Sequence, residues 1–170
     1  MTEHTEQILT RPAWDEYFMM LAKLAATMGT CKKRKVGAVV VRNHRVLTTG
    51  FNGAPPGLPH CTAVGCLIFE EEGSSCRRAL HAEQNAVLQN SGTLEGAILY
   101  TSFLPCVDCM KEILSVKIAA VVYEEEYPGA IFLNEGQSCS YNKEERSGLI
   151  SQEEIRIKEL RGTKTVTKTA

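Results

Sequence analysis

Apolar side chains recur at three- and four-residue steps near the start of the chain and gather in short runs further along. The stepped pattern predicts an amphipathic helix from Trp14 to Met28 that stops at Gly29. Two β-rich runs follow, Val36 to Val41 and Val46 to Thr49, and the polar residues between them predict a hairpin connection. The first third of the chain is therefore expected to form one helix and two paired strands.

Helical and strand patterns alternate in the rest of the chain. The predicted helices are Ala79 to Gln89, Cys106 to Ser115 and Asn142 to Leu149, and the predicted strands are Ala97 to Thr101, Ile118 to Tyr123 and Glu154 to Leu160. This alternation indicates an α/β layered fold with some parallel pairing. The continuous apolar run of the strand that begins at Ile118 suits burial on both faces of a sheet.

The length of 170 residues suits one domain. We expect this domain to span residues 1–161, and we expect the polar residues 162–170 to form a disordered tail. The segment from Gly50 to Gly73 is rich in glycine, proline and cysteine. So long an irregular connection usually has a function or requires a clamp.

Composition narrows the class of protein. A net charge of −1, 6% aromatic residues and a single tryptophan argue against a surface that grips nucleic acid. The sequence contains no run of about 18 apolar residues, so it predicts no membrane span. Its polar first residues lack the features of a signal peptide. We therefore expect a protein of the cytoplasm, either of a bacterium or, if a phage encodes the protein, of the infected host. Because that compartment is reducing, the seven cysteines suggest metal binding or catalysis rather than disulfide bonds.

Two short segments carry the chemistry: His81-Ala82-Glu83 and Pro105-Cys106-Val107-Asp108-Cys109, each at a predicted helix start. Cys106 and Cys109 are three residues apart, so both thiols lie on one helix face, where the positive helix end favours thiolates. His81 supplies a third ligand, which leaves the fourth position of a zinc ion to water. Glu83 points into the same cavity without binding the metal.

The joint pattern His-x-Glu and Pro-Cys-x-x-Cys is the signature of zinc deaminases. In that chemistry zinc lowers the pKa of its bound water to roughly 7, the resulting hydroxide attacks C4 of cytosine, and the glutamate moves the protons. Each half alone has a plainer interpretation, since a Cys-x-x-Cys pair is often a structural half-site or a redox pair. Together, and in this order, the two halves favour catalysis.

Four further cysteines suggest a second metal site: Cys31, Cys61, Cys66 and Cys76. A tetrahedral Cys₄ zinc would clamp the irregular segment, whose ordering is entropically costly. The alternative is four buried free thiols that pack as small hydrophobes, and His60 is a further candidate for one ligand position. Cys139 is left over from both clusters.

Longer motifs make the chain resemble the deoxycytidylate (dCMP) deaminase family of the cytidine deaminase superfamily, over roughly Trp14 to Tyr127. The motifs are CKKRKVGAVVV, GFNGAPPGLPHC, CRRALHAEQNAV, TSFLPCVDC and VVYEEEY. The resemblance implies a three-layer α/β/α fold with a central mixed five-stranded sheet. It implies hydrolytic deamination of dCMP to dUMP and ammonia, with a catalytic zinc on His81, Cys106 and Cys109 and with Glu83 as proton shuttle.

The same resemblance implies roles around the pocket. The substrate-binding positions are Asn52, Ala82 and Tyr127, and the positions of a second, structural zinc are Cys31, Cys61, Cys66 and Cys76. Many relatives are homohexamers that dCTP activates and dTTP inhibits, with Mg²⁺ accompanying the bound dCTP. The matching effector loop here is Gly50, Phe51, Asn52 and Gly53, where glycines would let backbone N–H groups approach phosphates.

Other functions fit parts of the pattern. The substrate could be another cytosine compound, namely dCTP, a 5-modified dCMP, free cytidine or a polynucleotide, although the last needs a basic, aromatic groove. From a different class, the chain could be a non-catalytic zinc-binding interaction module. Glu83 discriminates, because a structural site needs no acid–base carboxylate. The basic run from Lys32 to Lys35 is either a solvated face or a contact for an effector triphosphate.

Overall fold

The computed structural model describes residues 11–68, 76–126 and 156–160. Helices and strands alternate along these residues. In chain order they are α1 (Trp14–Ala26), β1 (Gly37–Arg42), β2 (Arg45–Phe51), α2 (Cys61–Val64), α3 (Ala82–Leu88), β3 (Ile98–Phe103), α4 (Val107–Ser115), β4 (Ala120–Glu125) and β5 (Arg156–Glu159). The alternation that the sequence predicts is therefore present in the described part of the chain.

The strands form one mixed sheet in the order β2-β1-β3-β4-β5. Strand β1 pairs antiparallel with β2 and with β3, whereas β4 runs parallel to β3 and the short β5 extends the sheet in parallel at its edge. The predicted hairpin is confirmed. Its two loop residues, Asn43 and His44, have φ of 52° and 58°, which is the left-handed pair that a tight turn between twisted strands requires.

Alternate residues of β1 face two separate cores. Ala38 and Val40 pack with α3 and α4, whereas Val39 and Val41 pack with α1. This alternation follows from the two-residue period of a strand. Since helices cover both faces of the sheet, the predicted three-layer α/β/α fold is confirmed.

Two glycines let helices approach the sheet closely. A Cβ added to Gly37 would lie 2.0 Å from the carbonyl oxygen of Ala22 in α1, and one added to Gly50 would lie 2.1 Å from that of Ala82 in α3. Any side chain at either position would force the helix away. The short distance at Gly50 places the first turn of α3 directly against the end of β2.

Some element boundaries differ from the sequence prediction. Helix α3 begins at Ala82 and not at Ala79, because Leu80 forms an isolated β-bridge with Gly53. The segment predicted as irregular contains the one-turn helix α2. The predicted helix from Asn142 to Leu149, the tail at 162–170 and Tyr127 lie outside the described residues. Among the helices that the structure describes, none is long and apolar enough to cross a membrane.

Candidate active site

His81, Cys106 and Cys109 converge at the amino-terminal ends of two helices. His81 is the N-cap residue of α3, and Cys106 is the N-cap residue of α4. The imidazole Nδ1 lies 3.5 Å from Cys106 Sγ and 3.3 Å from Cys109 Sγ. The structure therefore brings together the three residues that the sequence predicts as ligands.

Protons are unevenly shared in this cluster. The hydrogen bond with the Cys109 thiol lowers the pKa of Cys106 to about 4, and His81 acts in the same direction although burial opposes it. The same bond, together with burial, raises the pKa of Cys109. The hydrogen bond with Cys106 raises the pKa of His81. Cys106 is therefore the thiolate of the group, and a metal would displace the protons of the other two residues.

The donor set fits zinc. One imidazole nitrogen and two sulfur atoms lie within 4.8 Å of one another, and zinc prefers these donors. Cys109 is buried, whereas His81 and Cys106 are exposed, so one side of the cluster is open to a small molecule. Three protein donors with an open side are typical of a catalytic site and not of a closed structural one.

Glu83 lies beside these donors and is almost wholly buried, with 4% of its surface exposed. Its Oε2 is 3.8 Å from Cys109 Sγ, and its Oε1 accepts a hydrogen bond of 2.9 Å from the hydroxyl of Thr101 in β3. Burial raises the pKa of this carboxyl group. The carboxylate is thus held next to the metal donors with one oxygen fixed by Thr101.

The effector loop predicted at residues 50–53 packs against α3. The carbonyl of Phe51 accepts a hydrogen bond from Asn85 of α3. Both ends of the Asn52 side-chain amide bind the backbone, since its nitrogen donates to the carbonyl of Arg34 and its oxygen accepts from the N–H of Val36. In this structure Asn52 therefore holds the backbone segment from Arg34 to Val36 in place.

The backbone N–H groups of this loop already have partners. Asn52 N donates to the carbonyl of Val36, and Gly53 N donates to that of Leu80. A Cβ on Gly53 would lie 2.6 Å from the hydroxyl oxygen of Thr30. The glycine therefore serves close packing, and the expected phosphate contacts from the N–H groups of Asn52 and Gly53 do not fit this arrangement. The effector site itself stays a prediction.

The basic run separates into one half-buried cation and exposed lysines. The guanidinium group of Arg34 lies over the ring of Phe103, 4.5 Å from its centroid, whereas Lys32 and Lys35 are exposed. Phe103 ends β3, two residues after Thr101 and three before Cys106. Arg34 therefore places a positive charge at the end of β3, the strand that also carries Thr101.

Three of the four cysteines predicted for a second metal come together. The sulfur atoms of Cys61, Cys66 and Cys76 lie within 4.8 Å of one another, and Cys61 is 3.7 Å from Cys76. Cys31 lies outside this group, and its Sγ accepts a hydrogen bond of 3.4 Å from the N–H of Lys33. His60 is also outside the group; it is the N-cap residue of α2.

In the second cluster, burial and hydrogen bonds shift the pKa values of two thiols in opposite directions. Burial raises the pKa of Cys61 to about 11, and the hydrogen bond with Cys76 and the charges of Cys66 and Cys31 act in the same direction. Although burial opposes it, hydrogen bonds from backbone N–H groups lower the pKa of Cys76 to about 7. A soft metal ion binds thiolates, so its binding here would displace the proton of Cys61.

Sequence patterns do not reveal two functional side chains of the site. Thr101 stands in the apolar run of β3, and its only signal is a polar residue at a position that faces the core. Gln84 follows the histidine motif and occupies the capping-box position of α3. Its contact with α4 depends on how α3 packs against α4, which local patterns do not specify.

Comparison with known proteins supports a family assignment. The sequence profile of the cytidine and deoxycytidylate deaminase zinc-binding region matches residues 12–125. A deoxycytidylate deaminase of Schizosaccharomyces pombe is 43% identical over an alignment of 125 positions, which covers 69% of this chain and 38% of that protein. A deoxycytidylate deaminase of Mycobacterium phage D29 is 41% identical over an alignment of 127 positions, which covers 69% of this chain and 99% of the phage protein.

A solved structure agrees with these matches. The dCMP deaminase of the cyanophage S-TIM5, in complex with dCMP and dUMP, superposes with a TM-score of 0.66 at 30% identity, covering 89% of this chain and 99% of the phage chain. The chain thus spans under half of the fungal relative and almost all of the two phage relatives. The matched region contains His81, Glu83, Cys106 and Cys109. The chain therefore belongs to the deoxycytidylate deaminase family of the cytidine deaminase superfamily.

Proposed function

We propose that the protein hydrolyses dCMP to dUMP and ammonia at the site formed by His81, Cys106, Cys109 and Glu83. The observation that carries this proposal is the buried carboxylate of Glu83, held 3.8 Å from a metal-donor sulfur and fixed by Thr101. A structural zinc site has no use for such a group, which desolvation makes costly to keep there. The relatives named deoxycytidylate deaminase and the dCMP complex of the phage enzyme support the choice of substrate.

The residues divide the work of the reaction. His81, Cys106 and Cys109 would hold a zinc ion, which as a Lewis acid would make water nucleophilic near neutral pH. Glu83 accepts the proton that the attacking water loses and delivers it to N3 of the cytosine ring. The same carboxylate carries the second proton of that water to the departing amine. One water is consumed, the bond between C4 and nitrogen breaks, and ammonia leaves.

Thr101 keeps Glu83 suited to this task. Its hydroxyl donates to Oε1, so the second oxygen, Oε2, is the one directed toward the metal donors. Burial raises the pKa of the carboxyl group toward the range in which it both accepts and donates protons. The hydrogen bond from Thr101 therefore fixes the orientation of the carboxyl group, while burial raises its proton affinity.

Arg34 supports a substrate that carries a phosphate. Its guanidinium group lies over the ring of Phe103, at the end of the strand that carries Thr101, and arginine is a preferred partner of phosphate oxygens. We infer that Arg34 binds the 5′-phosphate of dCMP. Free deoxycytidine would not use this contact.

Replacing Arg34 by glutamine is expected to raise KM for dCMP and to leave the slow turnover of deoxycytidine unchanged. A hydrogen bond to a charged group contributes about 1.5–3 kcal/mol, so KM should rise about 10- to 150-fold. Lys32→Gln removes an exposed charge of the same basic run. It should change neither KM for dCMP nor the turnover of deoxycytidine. Steady-state kinetics of ammonia release measure both substrates. Equal losses on dCMP and deoxycytidine would show that Arg34 does not recognise the phosphate.

The cysteine cluster is the proposed site of a second, structural zinc. Three sulfur atoms are already gathered there, and Cys31 is the candidate for the fourth ligand that the family resemblance implies. Regulation by dCTP and dTTP, Mg²⁺ with the bound effector and assembly into hexamers are the expectations that the family resemblance adds to the proposal. The cytoplasmic location stays a prediction from the sequence.

The proposed activity is tested by following ammonia release from cytidine, CMP, dCMP, dCTP and 5-methyl-dCMP, each with and without dCTP or dTTP as effector. We expect dCMP to have the highest kcat/KM of the panel. Preference for a triphosphate or for the methylated base would replace dCMP by that substrate. Failure to release ammonia from any compound, in protein shown to contain zinc, would contradict the deaminase assignment.

A further inference from the structure

A single side chain connects the two helices that carry the proposed zinc ligands. The amide oxygen of Gln84 accepts a hydrogen bond of 3.0 Å from the backbone N–H of His81. The amide nitrogen of the same side chain donates a hydrogen bond of 2.8 Å to Oε1 of Glu112 in α4. Gln84 and Glu112 are both half-buried. One planar group therefore links the start of α3 to the body of α4.

Each end of this bridge lies next to a ligand. The N–H group of an N-cap residue has no partner within its own helix, so Gln84 determines where the backbone of His81 is held. Glu112 is three residues after Cys109, which places both on one face of α4 about one turn apart. The bridge therefore sets the position of His81 relative to Cys109 through two hydrogen bonds and one rigid amide.

The choice of glutamine is informative. A glutamate at position 84 would cap α3 equally well, but it could not donate to Glu112 and would set two carboxylates against each other. The apolar contacts between the helices, in which Ala82, Ala86 and Ile113 take part, are non-directional and tolerate small shifts. A directional contact adds to this packing a preferred distance between the backbone of His81 and α4.

We propose that Gln84 and Glu112 are positioning residues that hold His81 at the correct distance from Cys106 and Cys109, so that the zinc site is formed before the metal binds. This inference rests on the proposed ligand set. Groups that orient metal ligands typically change metal affinity by about 10- to 100-fold when they are removed. Breaking the bridge should therefore loosen the metal without removing any ligand.

The test measures zinc release from the full-length, zinc-loaded protein into an excess of a colorimetric chelator. The relevant phase of release is the one that Cys106→Ser abolishes. Gln84→Met, which keeps the length of the side chain and removes both hydrogen bonds, should speed this phase by about 10-fold or more. Cobalt-substituted Gln84→Met should show an altered visible spectrum, because the geometry of the ligands changes.

Matched variants separate positioning from general stability. Asn85→Leu removes a hydrogen bond that ties the same helix to Phe51 of β2, and it should leave the release rate and the cobalt spectrum unchanged. The exchange Gln84→Glu with Glu112→Gln keeps the net charge and reverses the donor and the acceptor. It should restore release to within about 3-fold of the original rate, given the 10-fold effect of the broken bridge.

Two results would overturn the inference: release from Gln84→Met no faster than from Asn85→Leu, or an exchange variant as leaky as Gln84→Met. Should Gln84→Met fail to fold, Glu112→Leu tests the same contact from α4 and leaves the bond between Gln84 and His81 in place. A protein in which Cys106→Ser abolishes no phase of zinc release would instead contradict the proposed ligand set. The two failures are therefore distinguishable.

Discussion

Replacing Glu83 by glutamine should leave the catalytic zinc bound and lower kcat for dCMP by about 10²- to 10⁴-fold, the usual contribution of a general acid–base group. Glutamine has the same shape and still offers an oxygen to the Thr101 hydroxyl. It cannot take a proton from water or pass one to the ring. Because the zinc donors are unchanged, metal content is expected to stay at the level of the original protein.

The same substitution should not destabilise the fold. Burial makes the charge of Glu83 costly, as the raised pKa of the carboxyl group shows, and a neutral amide avoids this cost. Thermal unfolding of Glu83→Gln is therefore expected at the same Tm or a higher one, in keeping with the general cost of functional groups to stability.

Kinetics of ammonia release, metal analysis and calorimetry on one preparation check these expectations together. Glu95→Gln is the matched control, because Glu95 is exposed and pairs only loosely with Lys117, at 3.5 Å. It should have normal kcat, zinc content and Tm. A Glu83→Gln variant that turns over dCMP at the normal rate would show that the proton transfers do not depend on this carboxylate.

Local sequence patterns predicted the elements that carry the site. The apolar periodicity located α1, and the motifs around His81 and Cys106 located the starts of α3 and α4 within a few residues. These predictions succeed because caps, turns and apolar stripes are properties of neighbouring residues. The hairpin at Asn43 was predictable for the same reason, since its polar residues tolerate a positive φ.

The contacts that complete the site were not predictable in this way. Glu83 and Thr101 are 18 residues apart, and Gln84 and Glu112 are 28 apart. Such pairs depend on which helices and strands pack side by side in the fold. Asn52 illustrates the same limit, because its hydrogen bonds to the backbone of Arg34 and Val36 join residues 18 and 16 positions apart, whereas its contact with a nucleotide stays a prediction.

The second cluster shows both outcomes. Cys61, Cys66 and Cys76 converge as their spacing around an irregular segment suggested, whereas Cys31 precedes the β1–β2 hairpin in the chain and is not within the group. A sequence pattern can propose that four thiols share a metal. It cannot say how closely a residue from another part of the chain approaches.

Replacing Cys61 by serine should remove the second zinc and strongly destabilise the protein. Cys61 is fully buried at the centre of the cluster, and a closed structural site cannot replace a missing thiolate with a solvent molecule. Loss of a structural metal is among the few single changes that cost more than about 4 kcal/mol. In a chain of this length such a loss lowers Tm by about 8–16 °C.

Metal analysis should find about two zinc ions per chain in the original protein and about one in Cys61→Ser, since each closed or catalytic site binds one ion. Val64→Ser, on the exposed side of the same short helix, should change neither the zinc content nor Tm. Cys31→Ser decides the fourth ligand, because loss of the second zinc in this variant would show that Cys31 moves into the cluster when metal binds. A single zinc in fully loaded original protein would mean that the three gathered thiols pack without metal, and Cys61→Ser would then cost only what a small buried side chain contributes.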